Sequence, residues 1–344
     1  MAIVLPNGNF ENPSLEYLRH YIKSKARILA IVKLPQETFI PFGTGVKTSL
    51  LFLEKDTANI NKQYPIFFGR VTKLGYQGNK NGTPLYQKDK YGQIIKDSSG
   101  QPTLEEDFNV IVSEYKKFLN GITFERENAF SINYNELNGR FDFDFYSPEN
   151  KILFKNLDNI ITVRLGDICD VVKLKSKKLK NQNSIIEYIE LSDINTHSYE
   201  IINSTTYKVH ELPSRASYEL QEGDIITAIA GNSIGTRKHA TALVTKDFEG
   251  NICTNGFRIL RNFKIDCYYL LYFFKTEVFL KQVFMYRTGA AIPNISDNDL
   301  LNIIIPIPNE KTIEGISKKM RKAFELRQES KNQIDSINYS LSCI

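Results

Sequence analysis

Short apolar runs separated by turns fill the first part of the chain. Runs typical of β-strands lie at residues 2–5, 28–34, 48–53 and 66–71. Between the first two runs, apolar residues recur at helical spacing, at Leu15, Leu18, Ile22 and Ala26. The pattern predicts a fragment of an α/β sheet. Because open α/β sheets normally carry helices on both faces, we expect the fragment to need a partner or a preceding half of the sheet.

The middle of the chain changes pattern twice. Residues 76–102 are rich in Gly, Asn, Lys, Asp and Ser and predict a hairpin or loop region, whereas residues 104–119 have helical periodicity. Phenylalanine and aspartate then alternate over residues 138–148, which predicts an edge strand that Pro148 ends. We expect the boundary between two domains at this segment.

The second half begins with strand patterns and ends with helical ones. Residues 212–231 predict a Pro/Ser/Arg turn, a corner with a structural aspartate at Asp224, and a buried strand at 225–229. The aromatic-rich segment 266–285 predicts one or two core helices. The last segment carries a heptad seam, interrupted by polar Arg327 and Ser330, at Ile313, Ile316, Met320, Ala323, Ile334, Ile337, Leu341 and Ile344.

Composition narrows the class of protein. A chain of 344 residues exceeds the usual limit of a single hydrophobic core, so we expect two domains and a tail. A net charge of +5 permits an anionic partner without requiring one. The four cysteines lack Cys-x-x-Cys spacing, so neither a zinc site nor a disulfide framework is expected. Because the cysteines do not indicate disulfides, we expect a location in the reducing cytoplasm. Neither a membrane-spanning run nor a signal peptide is evident.

The strand motifs of the first part lie at residues 2–8, 27–35 and 44–53, with Phe39 between the last two. In their order and spacing they resemble the later strands of the adenine-N6 DNA methyltransferases of type I and type IIG restriction-modification systems. This resemblance implies the C-terminal portion of a methyltransferase-like domain and a connector over residues 1–137. The Gly-rich S-adenosylmethionine loop and the Asn/Asp-Pro-Pro-Tyr segment of that family do not occur in this sequence. The resemblance therefore implies no methyltransferase activity for this chain alone, and S-adenosylmethionine bound by a partner or preceding domain.

The second half carries five short motifs, at 188–194, 212–216, 222–226, 255–260 and 289–296. In these motifs and their order it resembles the specificity subunits of type I restriction-modification systems. The resemblance implies a target recognition domain over 138–310, a coiled-coil helix over 311–344 that pairs with a second copy, and a methyltransferase partner. The implied fold class is α/β plus α+β: a partial methyltransferase-like sheet, a β-rich target recognition domain and a long C-terminal coiled-coil helix.

On this interpretation the chain recognises a double-stranded DNA sequence and directs adenine-N6 methylation, and cleavage, by partner or upstream catalytic domains. Arginine can bind guanine in a bidentate manner, asparagine can read adenine, and serine, threonine and lysine can hold phosphates. The candidate DNA-binding residues are Lys173, Lys175, Ser214, Arg215, Asn232, Ser233, Thr236, Arg237, Lys238, Arg287 and Asn294. The 232–239 loop is better equipped to read bases than Arg215. No catalytic, cofactor-binding or metal-binding residue is expected.

Several alternatives stay open at this point. Arg215 either contacts DNA or packs on Tyr218 or pairs with Glu219, and the loops at 231–239 and 76–102 are either DNA contacts or solvated excursions. His239 is expected to be an exposed loop histidine, since no carboxylate lies nearby in the sequence.

Two other classes of function compete with DNA recognition. A nuclease would use the Glu-x-Lys of Glu114 and Lys116, which lies on a predicted helix and lacks a placed aspartate. A protein-interaction module would use the C-terminal helix and have no intrinsic DNA specificity.

Overall fold

The structure, a computed structural model, describes residues 1–55, 63–122, 125–137, 139–157, 159–172, 174–289 and 292–342. The chain divides into two compact units, one of residues 1–155 and 288–291 and one of residues 156–287 and 292–344. The boundary expected at residue 138 falls inside the first unit, because Phe141, Phe143 and Tyr146 pack into its core. No described helix is long and apolar enough to cross a membrane.

The first unit is built on one mixed sheet. Its strands are β1 (Ala2–Pro6), β2 (Ala26–Lys33), β3 (Thr48–Lys55), β4 (Pro65–Arg70), β5 (Glu125–Arg126) and β6 (Ala129–Asn133), and its helices are α1 (Gly8–Glu11), α2 (Glu16–Lys25), α3 (Phe108–Leu119), α4 (Phe143–Tyr146) and α5 (Pro148–Lys155). The strand order is β1-β3-β2-β4-β6-β5. The predicted strands and both predicted helices are confirmed, because each apolar run pairs within this sheet or packs on it.

Strand β1 lies at an edge of this sheet. It pairs antiparallel with β3, with Ala2 opposite Phe52, and within the described residues no strand pairs with its other edge. Its Ile3 and Val4 are 37% and 44% exposed. A continuous apolar run is typical of strands that are covered on both faces, so β1 has the composition of an interior strand.

The edge strand predicted at 138–148 is wrong for the described part of that segment. Asp142 accepts a hydrogen bond from the Phe145 N–H and caps α4, and Pro148 begins α5 instead of ending a strand. Buried Arg140 donates to both carboxylate oxygens of Asp142, at 2.7 and 3.0 Å. The side-chain oxygen of Asp142 therefore favours a helix start over an extended backbone.

The hairpin region predicted at 76–102 is confirmed. Antiparallel bridges join Tyr76 to Pro84, Lys88 to Ile94, and Lys96 to Pro102. Asp89 and Asp97 each close a turn by accepting backbone N–H groups with one carboxylate oxygen. These side-chain bonds add to the backbone bonds across the two turns, in which the Asp89 N–H donates to the Gln93 carbonyl and the Asp97 N–H to the Gln101 carbonyl, both at 2.9 Å.

The second unit is rich in short strands. Its strands are β7 (Thr162–Arg164), β8 (Asp170–Val172), β9 (Ile185–Ile189), β10 (Ile194–Asn195), β11 (Glu200–Ile201), β12 (Thr205–Lys208), β13 (Ala216–Glu219), β14 (Ile225–Ala228), β15 (Thr241–Leu243), β16 (Ile252–Thr254), β17 (Phe257–Arg261) and β18 (Ile304–Pro306). They form sheets in the orders β10-β11-β15-β14-β17-β8, β12-β9-β16-β13 and β18-β7. The strand predicted at 225–229 is β14, and all four of its residues are buried.

Helices cover the core of the second unit. They are α6 (Leu165–Ile168), α7 (Cys267–Phe273), α8 (Glu277–Tyr286), α9 (Asp297–Leu301) and α10 (Glu310–Ser342). The predicted core helices are α7 and α8, whose Phe273 and Phe279 are 2% and 0% exposed. Aromatic residues in 266–285 are therefore mainly core residues, as their helical spacing predicts.

The predicted C-terminal helix is confirmed as α10, but its apolar seam has two parts. Ile313, Ile316 and Met320 pack against the core of the second unit. Arg327, part of the predicted polar break, donates to the Ser198 carbonyl at 2.7 Å and so fixes the helix to the same unit. Beyond it, Ile334 and Ile337 are 56% and 59% exposed. Among the seam residues whose side chains the structure describes, only Ile334 and Ile337, in this later part, are open to contact with a second helix.

Candidate nucleic-acid interface

Strand pairing in the second unit brings four loops to one edge. Ala228, at the end of β14, lies opposite Phe257, at the start of β17, and Ala216, at the start of β13, lies opposite Thr254, at the end of β16. The connections that leave these strands therefore emerge on the same side. We call residues 214–215, 229–239, 255–256 and 292–295 the loop edge.

Backbone hydrogen bonds join these loops to one another. The Asn255 N–H donates to the Arg215 carbonyl at 2.8 Å, and the Ile229 N–H donates to the Gly256 carbonyl at 2.8 Å. The Gly231 N–H donates to the Pro293 carbonyl at 2.9 Å. Segments that lie as much as about eighty residues apart in the sequence thus form one continuous surface whose backbone is fixed.

The loop 231–239 is compact because it bonds to itself. The Thr236 N–H and hydroxyl both donate to the Ser233 carbonyl, at 3.1 and 2.7 Å, and the Thr236 hydroxyl accepts from the Lys238 N–H at 3.2 Å. Gly235 has a φ of 72°, in the left-handed region that favours glycine. A Cβ at this position would lie 2.7 Å from the Phe284 backbone nitrogen. Glycine therefore lets the loop approach α8 closely.

His239 is buried, which corrects the expectation that it is exposed. Its exposed fraction is 0%. Its Nδ1 accepts the Gly235 N–H at 3.1 Å, so the proton lies on Nε2, which donates to the Thr227 hydroxyl at 2.8 Å. Burial, with a smaller contribution from the charge of Lys275, lowers its pKa to about 3. The imidazole is therefore neutral and has no access to solvent.

Basic side chains lie on the outer side of the loop edge. Arg215, Arg237 and Lys238 are exposed, and within the described residues none of their side chains forms an ion pair. Lys175 is exposed beside β13, since its neighbour Ser176 donates its N–H to the Ser217 carbonyl at 2.9 Å. These four cations form no ion pair with any residue that the structure describes, and they are therefore available to an anionic ligand.

The alternative contacts considered for Arg215 belong to other residues. Arg258 lies over the Tyr218 ring, 5.8 Å from its centroid, and Glu219 pairs with Lys178 at 2.9 Å. Arg215 is exposed and joins the loop edge through its carbonyl.

The remaining predicted residues have different degrees of exposure. Asn232, Asn294 and Ser214 are exposed, and Ser233 and Thr236 are half-buried. Arg287 is half-buried, lies 3.6 Å above the Phe284 ring centroid and donates to the Ile234 carbonyl at 3.3 Å. It therefore supports the loop from inside. Lys173 lies outside the described residues.

One residue that sequence reasoning did not select is Asn255. It is exposed between Arg215 and the 231–239 loop, and its side-chain amide forms no hydrogen bond within the described residues. The signal was available, since Asn255-Gly256 is a typical turn pair between two strand patterns. The pairing of β13 with β16, which places this turn beside Arg215, could not be inferred from the local sequence.

The corner at Gly223-Asp224 is structural, as predicted. Asp224 is 2% exposed and accepts both Nε and Nη2 of Arg261 at 2.7 Å, together with the Gln221 N–H at 2.8 Å. Hydrogen bonding to Asp224 raises the pKa of Arg261. This pair joins the corner to β17 at the end opposite the loop edge.

The nuclease alternative finds no support in the geometry. Glu114 is 4% exposed, and its Oε1 accepts Arg126 at 2.8 Å and Lys117 at 2.9 Å. Within the described parts of the chain, no group of three or more His, Cys, Asp or Glu side chains is placed to hold a metal ion. Glu114 is therefore an ion-paired helix residue.

Comparison with known proteins gives two family matches. The model of the type I restriction modification DNA specificity domain matches residues 158–336, more than half of the chain. The model of the N-6 DNA methylases matches residues 1–119. No curated protein matches the sequence.

Several solved structures are similar in part. The HsdS subunit from Thermoanaerobacter tengcongensis is 24% identical, with a TM-score of 0.39, over 52% of this chain and 47% of that one. The S subunit from M. genitalium is 18% identical, with a TM-score of 0.35, over 53% of this chain and 44% of that one. A modification subunit of a putative type I restriction enzyme from Vibrio vulnificus YJ016 is 18% identical, with a TM-score of 0.25, over 39% of this chain and 22% of that one. The matched region spans less than half the length of each of these structures.

Proposed function

Since the chain belongs to the family of type I restriction modification DNA specificity domains, we propose that its loop edge recognises a specific sequence of double-stranded DNA within a restriction-modification system. The observation that carries the proposal is the joining of separate loops into one surface with exposed Arg215, Arg237 and Lys238. Exposed cations suit phosphates, and the amides of Asn232 and Asn255 suit adenine edges. Recognition would direct adenine-N6 methylation, and cleavage, by partner or upstream catalytic domains.

The proposal predicts salt-dependent DNA binding. Four cations on phosphates, at Lys175, Arg215, Arg237 and Lys238, would give a slope of about −3.6 for log K against log salt, from about −0.9 for each contact. Fluorescence anisotropy with a labelled duplex measures this slope. Arg237→Ala and Lys238→Ala should each reduce its magnitude by about 0.9. Lys246→Ala is the matched control, since Lys246 is an exposed lysine of the same unit beyond the opposite end of β15.

Sequence preference is tested separately by selecting duplexes from a randomised pool. Enrichment of a common sequence supports recognition, and an unenriched pool despite salt-dependent binding contradicts it. A flat titration at low salt would favour the protein-interaction module instead.

A methyltransferase subunit or domain is the proposed protein partner. The exposed apolar edge of β1 supports it, because an added strand would flank Ile3 and Val4 and pair with the backbone edge that no described strand pairs with. S-adenosylmethionine would be bound by that partner. The Gly-rich loop and the Asn/Asp-Pro-Pro-Tyr segment that hold it in this family are not found in the present sequence, so no step through the cofactor is assigned to these residues.

A homodimer through α10 is the second proposed assembly. The exposed Ile334 and Ile337 support it, since isoleucines three residues apart on one helix suit a coiled-coil seam. Light scattering after size exclusion should detect a dimer that Ile337→Asp converts to a monomer. A wild-type monomer at high concentration would contradict this assembly.

A further inference from the structure

We infer that His239 is a positioning residue for DNA recognition: its two ring nitrogens fasten the loop 231–238 to the central sheet of the second unit in the conformation that contacts DNA. The inference rests on the proposed function. It assigns a role in binding to a side chain that no ligand can touch, because the imidazole is 0% exposed.

The contacts of the ring run from the loop to the sheet. Gly235 lies in the middle of the loop and donates its N–H to Nδ1 at 3.1 Å, and Nε2 donates to the hydroxyl of Thr227 on β14 at 2.8 Å. The Thr227 hydroxyl lies 3.2 Å from that of Thr241 on β15. One imidazole therefore joins the loop to two adjacent strands.

The backbone and ring of His239 are held independently. Lys275 donates its ammonium to the His239 carbonyl, and the imidazole lies edge-on to Phe279 with centroids 5.3 Å apart. Burial, with a smaller contribution from the charge of Lys275, holds the pKa of His239 at about 3. The neutral tautomer that both hydrogen bonds require is thus maintained over the whole pH range of ordinary binding assays.

The held loop presents the groups assigned to DNA. Arg237 and Lys238 immediately precede His239, and Asn232 and Ser233 precede Gly235. A loop that must be ordered when ligand binds loses affinity through that ordering, whereas a preformed loop does not. Release of the imidazole contacts should therefore weaken binding even though all DNA-contacting side chains remain.

The test compares two buried substitutions in the full chain. His239→Phe keeps an aromatic ring beside Phe279 but removes both hydrogen bonds, and should raise the Kd for a labelled random-sequence duplex at low salt about tenfold. Thr241→Val is the matched control. It disturbs the same buried network at its far end, where no loop residue bonds to it, and should leave the Kd within about twofold of wild type.

Conservative variants separate the two ring contacts. His239→Asn keeps an acceptor near the Nδ1 position, for the Gly235 N–H, whereas His239→Gln places its amide nearer to Thr227. Because the Gly235 contact holds the loop, His239→Asn should recover most of the affinity that His239→Phe loses, and His239→Gln should recover less. If His239 had a purely structural role, the DNA affinities of the variants would instead follow the order of their melting temperatures.

Hydrogen exchange of the Gly235 amide tests the anchor without DNA. It should be faster in His239→Phe than in wild type and unchanged in Thr241→Val. Equal exchange in His239→Phe and wild type, or an equal rise of Kd in His239→Phe and Thr241→Val, would overturn the inference. If the wild type fails to bind duplex DNA at all, the proposed function falls, and the exchange result still decides whether His239 holds the loop.

Discussion

Acidification should destabilise the second unit through His239. In the unfolded chain this histidine binds a proton near its ordinary pKa of 6.5, whereas in the folded chain the pKa is lowered to about 3. Between these values the unfolded state binds more protons, so stability falls as the pH falls. At pH 5, 1.5 units below 6.5, the loss is about 2 kcal/mol at about 1.4 kcal/mol for each unit.

The pH window isolates this residue from its charged neighbour. Burial lowers the pKa of Lys275 to about 8, so in the folded chain about three quarters of Lys275 is protonated at pH 7.5 and nearly all of it at pH 5. Its contribution to stability therefore changes by only about 0.2 kcal/mol across this window. Carboxylates whose pKa values are lowered by folding contribute near and below 4.5, and Glu11, whose pKa is raised by burial, belongs to the first unit and is the same in the two proteins compared.

The assay is guanidinium unfolding followed by circular dichroism at pH 7.5 and pH 5, with wild type and His239→Asn in parallel. The variant has no proton to bind at this position. The difference in free energy of unfolding between wild type and variant should be about 2 kcal/mol smaller at pH 5 than at pH 7.5. This change is equivalent to a shift of about 0.5 M in the unfolding midpoint. If this difference in free energy stays constant within about 0.5 kcal/mol, the folded histidine is not held neutral and the reasoning is refuted.

Four further substitutions test other contacts by the same unfolding assay. Gly235→Ala should lower the free energy of unfolding by about 3 kcal/mol, because its left-handed backbone is strained and its new Cβ clashes with Phe284. Gly223→Ala, with a φ of 86° and no atom within 4 Å, should lower it by about 1 kcal/mol. Equal losses for the two variants would exclude the clash. Asp224→Asn should lower the free energy of unfolding by about 3 kcal/mol, because it leaves Arg261 without its carboxylate partner. A loss of less than about 1 kcal/mol would show that the pair is not essential to the corner. Asp142→Asn should destabilise the first unit by about 3 kcal/mol through Arg140, and a change confined to the second unit would be inconsistent with the assigned core.

Local patterns predicted the regular elements well. The strands β1 to β4 and the helices α7, α8 and α10 all have apolar spacing that shows directly in the sequence. The exception at 142–148 has a local cause, because a side-chain cap at Asp142 outweighed an alternating pattern. Periodicity describes which face is apolar, and it does not include the hydrogen bonds of individual side chains.

The arrangement of the candidate site was less predictable. The residue types on the loop 231–239 indicated DNA contact, but the burial of His239 depends on α8, which begins nearly forty residues later. The position of Asn255 beside Arg215 depends on the pairing of β13 with β16. Such long-range pairings are set by the whole core, so no local window of sequence contains them.

The exposed edge of β1 has a consequence for tolerance to mutation. In the isolated chain, Ile3 and Val4 count as surface positions, and polar substitutions there should be neutral or even improve solubility. In an assembly that extends the sheet, the same positions become interior and the same substitutions become damaging. Variant libraries scored for solubility of the chain and for function in the assembled system should therefore give opposite preferences at these two residues.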